Sequence, residues 1–195
     1  MTVLAGYQGN GFAIIAGDSR ATDEWGRISI MANPKISYSK SGQYIYATTG
    51  TCRGGNLIQQ GFTPPDAPVW VDIEHLDEFM TQTFIPALRA YFIDEGYDAK
   101  DDGEAATNES DFLIAVSGVI YQIYNDYSWV RDARNIYYDG SGGEVVLGAM
   151  TALGIDKCKN DRKKARAIMK KAIEITCQWN AYCAPPVVIE TQLAK

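Results

Sequence analysis

The first strand–turn–strand unit of the sequence reads TVLAGYQGNGFAIIAGDSRAT at residues 2–22. Gly9-Asn10-Gly11 is a turn signal, and it separates the short mixed segment Thr2–Tyr7 from the apolar run Phe12–Ala16. The apolar run ends at Gly17-Asp18. Together these segments predict a β-hairpin whose first strand begins at Thr2.

Further strands and helices follow in blocks. The sequence predicts strands at Ile28–Met31, Lys35–Ser39, Gln43–Thr49, Phe112–Ser117, Val119–Asn125, Ile136–Tyr138 and Val187–Thr191, and helices around Leu57–Gln59 and over Asp72–Ile93, Glu144–Leu153 and Asp161–Trp179. This order favours antiparallel sheets with helices stacked outside them, because a parallel sheet would alternate strand and helix. No linker divides the chain, so we expect one domain over residues 1–195.

Three helical segments carry more specific predictions. Pro86 should kink or split the helix Asp72–Ile93. The segment Glu144–Leu153 is apolar nearly all round, which predicts a buried helix. Asp161–Trp179 is amphipathic, with its lysines off the apolar face, so we expect those lysines to be solvated.

Composition and charge exclude several classes of protein. Apolar residues make up 46% and charged residues 22% of 195 residues, which is ordinary for a globular protein. A net charge of −6 argues against nucleic-acid binding. No apolar run approaches the roughly 18 residues that span a bilayer, and the N-terminus lacks the pattern of a signal peptide. We therefore expect no membrane contact and a cytoplasmic location.

Metal and cofactor sites are not predicted. The four cysteines form no C-x-x-C pair and are expected to be reduced, mostly buried thiols. His75, the one histidine, excludes a His-rich zinc site, and its place at a helix start predicts a solvated residue rather than a member of a Ser-His-Asp triad. The acidic segment Asp98–Ser110 lacks the carboxylate spacing of a calcium loop.

Thr2 has a route to reactivity that needs no histidine. Removal of Met1, which a small second residue favours, would leave an α-amine with a reference pKa of about 7.7–8.0. Such an amine can act as the base for the threonine's own hydroxyl. The mechanism also requires a lysine near the amine, a carboxylate to hold that lysine, and a backbone N–H for the oxyanion. Lys35, Asp18 and Gly50 are the candidates.

A family resemblance connects these residues. Thr2, Gly17-Asp18-Ser19-Arg20-Ala21-Thr22, Asn33-Pro34-Lys35-Ile36, Ala47-Thr48-Thr49-Gly50 and Asp139-Gly140-Ser141-Gly142-Gly143 occur in that order. Together these blocks resemble proteasome β subunits and the bacterial HslV-type peptidases, which are N-terminal-nucleophile (Ntn) hydrolases. The resemblance implies an α+β, four-layer αββα sandwich, with two antiparallel sheets between helix layers.

The resemblance also implies a role for each candidate residue. Thr2 would be the nucleophile, Lys35 would tune its amine, Asp18 would orient Lys35, the Gly50 N–H would form the oxyanion hole, and Ser141 would relay the amine's proton. For the substrate, Thr22 would offer backbone hydrogen bonds to an extended peptide. The side-chain pocket would be lined by small or polar residues, which favours a small or uncharged substrate side chain: Ala21, Asn33, Ser37, Thr48 and Cys52.

The implied function is a threonine peptidase acting on peptides or unfolded proteins. The resemblance further implies a homo-oligomeric ring that encloses the sites, and a separate ATPase that unfolds substrates. Asn180 and Cys183 stand where proteasome β subunits have an aspartate and a serine. An amidohydrolase that does not cleave peptides, or a catalytically silent scaffold subunit, is therefore the alternative.

Overall fold

The computed structural model describes residues 2–23, 25–69, 72–98 and 107–194. The strands are β1 (Leu4–Gly9), β2 (Phe12–Gly17), β3 (Arg20–Thr22), β4 (Ile28–Ile30), β5 (Ile36–Tyr38), β6 (Tyr44–Thr48), β7 (Phe112–Val116), β8 (Val119–Ile123), β9 (Trp129–Val130), β10 (Ile136–Asp139) and β11 (Val188–Leu193). The helices are α1 (Cys52–Asn56), α2 (Ile73–Phe79), α3 (Ile85–Asp94), α4 (Gly143–Ala152) and α5 (Arg162–Trp179). Most of the predicted acidic loop Asp98–Ser110 lies outside the described residues.

The first sheet is built on the predicted hairpin. Its strand order is β10-β1-β2-β11, and every pair is antiparallel. Side chains alternate between the two faces of a strand. Accordingly, Ala5, Tyr7 and Ile14 pack towards α4 and α5, whereas Leu4 and Ile15 enter a second core between the two sheets.

The second sheet has the order β5-β6-β7-β8-β9 and is also antiparallel throughout. Tyr44 and Tyr46 point towards α2 and α3, while Ile45 and Ala47 pack against the first sheet. Three cores therefore lie between four layers, and the αββα sandwich predicted from the resemblance is confirmed.

The helix Asp72–Ile93 is divided as its proline suggested. α2 and α3 are joined by a π-helical segment, Met80–Phe84, which ends directly before the first turn of α3, where Pro86 lies. Proline has no N–H to donate to the preceding turn, so the hydrogen-bond register changes there without ending the helix. His75 lies in α2 with an exposed side chain, 2.7 Å from the Asp72 carboxylate, as a solvated residue.

The prediction that the helix Glu144–Leu153 is buried all round was wrong. α4 packs one side, including Val146 and Met150, against the first sheet and α5, and it exposes Val145 and Leu153 on the other. Apolar residues on both sides of a helix do not tell which side has a partner within the same chain. Within the described part of the chain, no helix is both long and apolar enough to cross a membrane.

Strands β3 and β4 form a separate two-stranded ribbon beside the sandwich. A strand near Ile28 was predicted from the sequence, whereas its partner, Arg20–Thr22, was not. The Asp23 carboxylate organises the turn between them, because it accepts hydrogen bonds from the N–H groups of Trp25 and Arg27 at 2.9 and 2.8 Å. Strand β3 of the ribbon provides one wall of the cleft described below.

Candidate active site

Thr2 precedes β1 and is held by the loop between β10 and α4. Its side chain and backbone are almost fully buried, with 5% exposure. Its carbonyl oxygen accepts hydrogen bonds from the Gly142 N–H at 3.2 Å and the Ser141 hydroxyl at 3.3 Å. Gly140 has φ +79°, and a Cβ there would come within 2.3 Å of the Thr2 carbonyl oxygen. Glycine therefore allows the loop to approach the first residues of the chain this closely.

Asp18 follows β2 and is completely buried. Its Oδ1 accepts from the Val3 N–H at 3.0 Å and from the Lys35 ammonium at 2.7 Å. Its Oδ2 accepts from the N–H groups of Arg20 at 2.9 Å and Ala184 at 3.1 Å. One carboxylate thus fixes Lys35 relative to the backbone that carries Thr2.

Gly50 follows β6 at the same end of the sandwich. It has φ +89°, and a Cβ there would approach the Glu109 carbonyl oxygen to 2.2 Å, so the position requires glycine. The neighbouring Thr49 donates its N–H to the Asp111 carbonyl at 3.0 Å. These contacts place the Gly50 backbone in the wall of a cleft that Thr2 also lines.

A link between the two sheets was not predicted from the sequence. The Thr49 hydroxyl donates to Asp139 Oδ2 at 3.1 Å, and Asp139 Oδ1 accepts from the Gly140 N–H at 2.5 Å. Burial raises the pKa of Asp139, and the nearby Asp111 carboxylate adds to this increase. Asp139 therefore ties the loop that carries Gly50 to the loop that holds Thr2.

Asn180 and Cys183, the two departures from the proteasome pattern, lie behind the Thr2 loop. The Asn180 side-chain amide donates to the Ser141 carbonyl at 2.8 Å, and the Asn180 carbonyl accepts from the Cys183 N–H at 3.2 Å. Burial and the nearby Asp18 carboxylate raise the pKa of the Cys183 thiol to about 12. Cys183 is therefore a neutral packing residue at neutral pH and not a nucleophile.

The cleft has a volume of about 220 Å³. It lies between the β3–β4 ribbon, the residues before β5, the end of β6 and α1. Eight residues proposed from the sequence line it: Thr2, Ala21, Thr22, Asn33, Lys35, Thr48, Gly50 and Cys52. Seven further lining residues were not predicted from the sequence: Arg20, Met31, Pro34, Thr51, Gly55, Asn56 and Gln59.

Three of the proposed site residues do not line this cleft. Asp18 lies beneath it and contacts it through Lys35. Ser141 is exposed beside Thr2. Ser37 lies on β5 opposite Tyr46, and its hydroxyl is buried without a hydrogen-bond partner among the described residues. Ser37 was proposed from the family resemblance as a residue of the side-chain pocket, but it does not line this cleft.

The cysteines and acidic residues show no sign of a disulfide or metal framework in the described parts of the chain. All four cysteines are free there, with Cys158 and Cys183 buried, Cys177 partly buried and Cys52 exposed at the cleft. The described residues include no group of three His, Cys, Asp or Glu side chains placed to hold a metal ion.

The fold and the arrangement of the cleft define a proteasome-like Ntn-hydrolase fold, and solved structures share it. BPH from Thiobacillus denitrificans is 21% identical, covers 99% of this chain and 98% of its own, and has a TM-score of 0.73. HslV from Trypanosoma brucei is 13% identical over 98% of this chain and 99% of its own, with a TM-score of 0.65.

A third structure, the Anbu Gly-1 mutant from Hyphomicrobium sp. strain MC1, is 13% identical over the whole of this chain and 84% of its own, with a TM-score of 0.63. Neither a family model nor a curated protein sequence matches the chain. The resemblance first inferred from sequence motifs is thus confirmed as a shared fold.

Proposed function

We propose that the protein is a threonine peptidase that uses Thr2 as its nucleophile after Met1 has been removed. The observation that carries this proposal is the buried Asp18–Lys35 ion pair, 2.7 Å long, beneath a cleft that both Lys35 and Thr2 line. Burying an ion pair costs desolvation energy, so it is a poor source of stability alone. A functional role for the lysine explains its presence.

The proposed reaction needs only groups of this site. The Thr2 α-amine accepts the proton of the Thr2 hydroxyl while the hydroxyl oxygen attacks the peptide carbonyl. The Lys35 ammonium lowers the pKa of that amine by charge repulsion, so the amine is neutral and able to accept the proton. The Gly50 N–H stabilises the oxyanion. The amine then protonates the leaving peptide nitrogen, and water hydrolyses the ester on Thr2.

The substrate is proposed to be a peptide or unfolded protein that binds in extended form along Ala21 and Thr22. Both residues belong to β3, which pairs with β4 on one side. An extended peptide could add to the other edge of this ribbon through backbone hydrogen bonds. We further propose a homo-oligomeric ring that encloses the site, with a separate ATPase supplying unfolded chains. The partly exposed apolar residues of α4 support an interface.

A second candidate is an amidohydrolase that does not cleave peptides, or a silent scaffold subunit. It is favoured by Asn180 and Cys183, which provide an amide and a neutral thiol near Ser141 and Asp18. Neither side chain carries a charge that would help the Thr2 amine exchange protons. Substrate preference separates the two candidates: an amidohydrolase would cleave small amides orders of magnitude faster than peptides.

Mass spectrometry of the natively produced protein tests the proposal. We expect loss of Met1 and then one covalent adduct with a peptide epoxyketone, a reagent that reacts with both the hydroxyl and the amine of an N-terminal threonine. BPH from T. denitrificans has been solved in complex with epoxomicin, which makes this reagent a reasonable probe.

Two variants complete that experiment. Thr2→Ala should abolish both the adduct and peptide cleavage, whereas Thr63→Ala, at an exposed position in the loop after α1, should retain both. Retention of Met1, or cleavage that survives in Thr2→Ala, would exclude the proposed mechanism. Cleavage that is present in the parent and lost in Thr2→Ala would exclude the silent scaffold.

A further inference from the structure

The charged side chains that line the cleft are all cations. Among its described lining residues are two cations, Arg20 and Lys35, and no carboxylate. Lys35 is paired with Asp18 beneath the cleft. The Arg20 guanidinium is anchored at one end, where it donates to the Ala181 carbonyl. A substrate lysine or arginine would therefore enter the cleft without a counter-charge, and it would lose its hydration there.

Three hydrogen-bonding atoms of the cleft residues have no partner among the described residues. They are the hydroxyls of Thr22 and Thr48 and the Nε of Arg20, and all three atoms are buried. Thr48 itself is only 6% exposed. A buried polar group without a partner carries a free-energy penalty, which a bound ligand can relieve by supplying the missing hydrogen bond. The Arg20 Nε–H can only donate, so its missing partner is an acceptor, and both hydroxyls can donate as well.

The depth of the cleft depends on Gly55. The three atoms nearest to a Cβ at this position of α1 belong to the Thr48 side chain, at 3.7 to 4.0 Å, which is ordinary contact. The space in front of Thr48 is therefore open because residue 55 lacks a side chain. Gln59 closes the wall nearby, since its side-chain amide donates to the Pro34 carbonyl at 3.1 Å.

We propose that this cleft selects a substrate side chain that ends in an acceptor oxygen, the amide of glutamine or the carboxylate of glutamate. The inference rests on the proposed peptidase function. It narrows the expectation of a small or uncharged side chain, because Gly55 leaves room in front of Thr48 and buried donors of the lining residues lack a partner among the described residues. The Thr48 hydroxyl and the Arg20 Nε–H bind the acceptor oxygen, and the absence of a lining carboxylate disfavours basic side chains.

Cleavage of matched peptides tests this inference. A panel of fluorogenic peptides differs only in the residue before the cleaved bond, which is Gln, Glu, Met, Lys or Ala. Met is similar in size to Gln but is a poor acceptor, so we expect kcat/KM for Gln or Glu to exceed that for Met by about tenfold or more. Lys should be cleaved most slowly. A preference for Met or Lys would overturn the inference and leave the peptidase function standing, whereas no cleavage of any peptide would overturn both.

Variants of Thr48 and Gly55 test whether these residues determine the preference for the substrate side chain. Thr48→Val keeps the shape but removes the hydroxyl, and should reduce the Gln-to-Met ratio of kcat/KM about tenfold. Thr83→Val, at an exposed threonine outside the cleft, should leave that ratio unchanged. Gly55→Ala should lower kcat/KM for Gln more than for Ala by filling the space before Thr48. If both cleft variants keep the parent's ratios, the selection lies elsewhere and the inference is wrong.

Discussion

The buried side chain of Asp18 makes more hydrogen bonds than any other proposed site residue described above. Its two oxygens accept four hydrogen bonds, from Lys35 and from three backbone N–H groups. In Asp18→Asn an amide N–H₂ would face at least one of these donors, and the negative charge beside Lys35 would be lost. We expect the free energy of unfolding to fall by about 3–5 kcal/mol.

Urea denaturation measures this loss. Asp94→Asn, at an exposed carboxylate at the end of α3, is the control and should change stability by less than about 0.5 kcal/mol. A loss below about 1 kcal/mol in Asp18→Asn would mean that the network adapts to the amide, contrary to the contacts described here.

Asp139 should make stability depend on pH in the direction opposite to a salt-bridged carboxylate. Burial raises its pKa in the folded protein above the ordinary value of 3.8, so the folded state favours the protonated acid. This contribution to stability is present at low pH and is lost as pH rises through the raised pKa. Asp139→Asn, which is neutral throughout, should therefore be more stable than the parent at about pH 7 but similar at about pH 3.

Thermal or urea unfolding at the two pH values checks the Asp139 prediction. Because Asn can still accept from the Gly140 N–H, the comparison isolates the charge of residue 139 rather than its packing. A stability difference that is the same at both pH values would show that ionisation of Asp139 is not the cause.

At the scale of elements, the hydrogen bond between Thr49 and Asp139 joins the end of β6 to the end of β10. Thr49→Val removes it without changing the shape of the side chain, at a cost of about 1 kcal/mol. Since Gly50 follows directly, we expect its N–H to be less well placed for the oxyanion and kcat to fall about tenfold.

Steady-state kinetics on a cleaved peptide checks the Thr49 prediction. The effect should appear in kcat, because the oxyanion forms only during the reaction. Thr83→Val, at an exposed threonine of the π-helical segment, serves as the control. A raised KM with unchanged kcat would assign Thr49 to substrate binding instead.

The elements that were predicted correctly are those with a strong local pattern. The hairpin of β1 and β2 has its turn signal and apolar run within sixteen residues, from Thr2 to Gly17. α5 shows a clear apolar face at helical spacing. The ribbon of β3 and β4 was only half predicted because each strand has three residues, too few to establish a pattern.

The site was predictable only where the family resemblance supplied positions. The structure brings Thr2, Lys35 and Gly50 to one cleft, with Asp18 paired to Lys35 beneath it, and the catalytic roles of these residues stay a prediction. By contrast, Thr49 and Asp139 lie 90 residues apart and belong to different sheets. Neither composition nor periodicity indicates such a contact, because register between distant strands is set by tertiary packing. Gly55 and Gln59 were not predictable from the sequence for the same reason. Their places in the cleft are set by how α1 and the residues that follow it pack against the second sheet.

At the scale of the whole molecule, the sandwich packs two sheets face to face so that their ends form one cleft. Thr2 and Asp18 come from the first sheet, and Lys35 and Gly50 flank strands of the second. The core between the sheets, which includes Leu4, is completely buried there and fixes their separation. Close-packed interiors deform little, so the site inherits its geometry from this packing.

Exposed apolar residues on the surface of the sandwich indicate where copies of the protein could contact one another. Tyr121 and Tyr127 are buried in the second sheet's own core and are not available as interface anchors. α4 has Val145 37% exposed, and the small residues Gly148 and Ala152 are exposed on the same side. Small residues would allow a neighbouring subunit to approach closely, and an apolar face gains by being covered.

We therefore expect a homo-oligomer in solution, with α4 at the contact between subunits. Light scattering at micromolar concentration should give a multiple of the 21.5 kDa chain mass. Val145→Glu would place a charge in that contact and should shift the protein towards the monomer, because an unpaired buried charge is strongly unfavourable. Val69→Glu, at a loop valine that is 64% exposed, should leave the mass unchanged. A parent protein that stays at 21.5 kDa would exclude the ring, and an oligomer that tolerates Val145→Glu would exclude α4 as its interface.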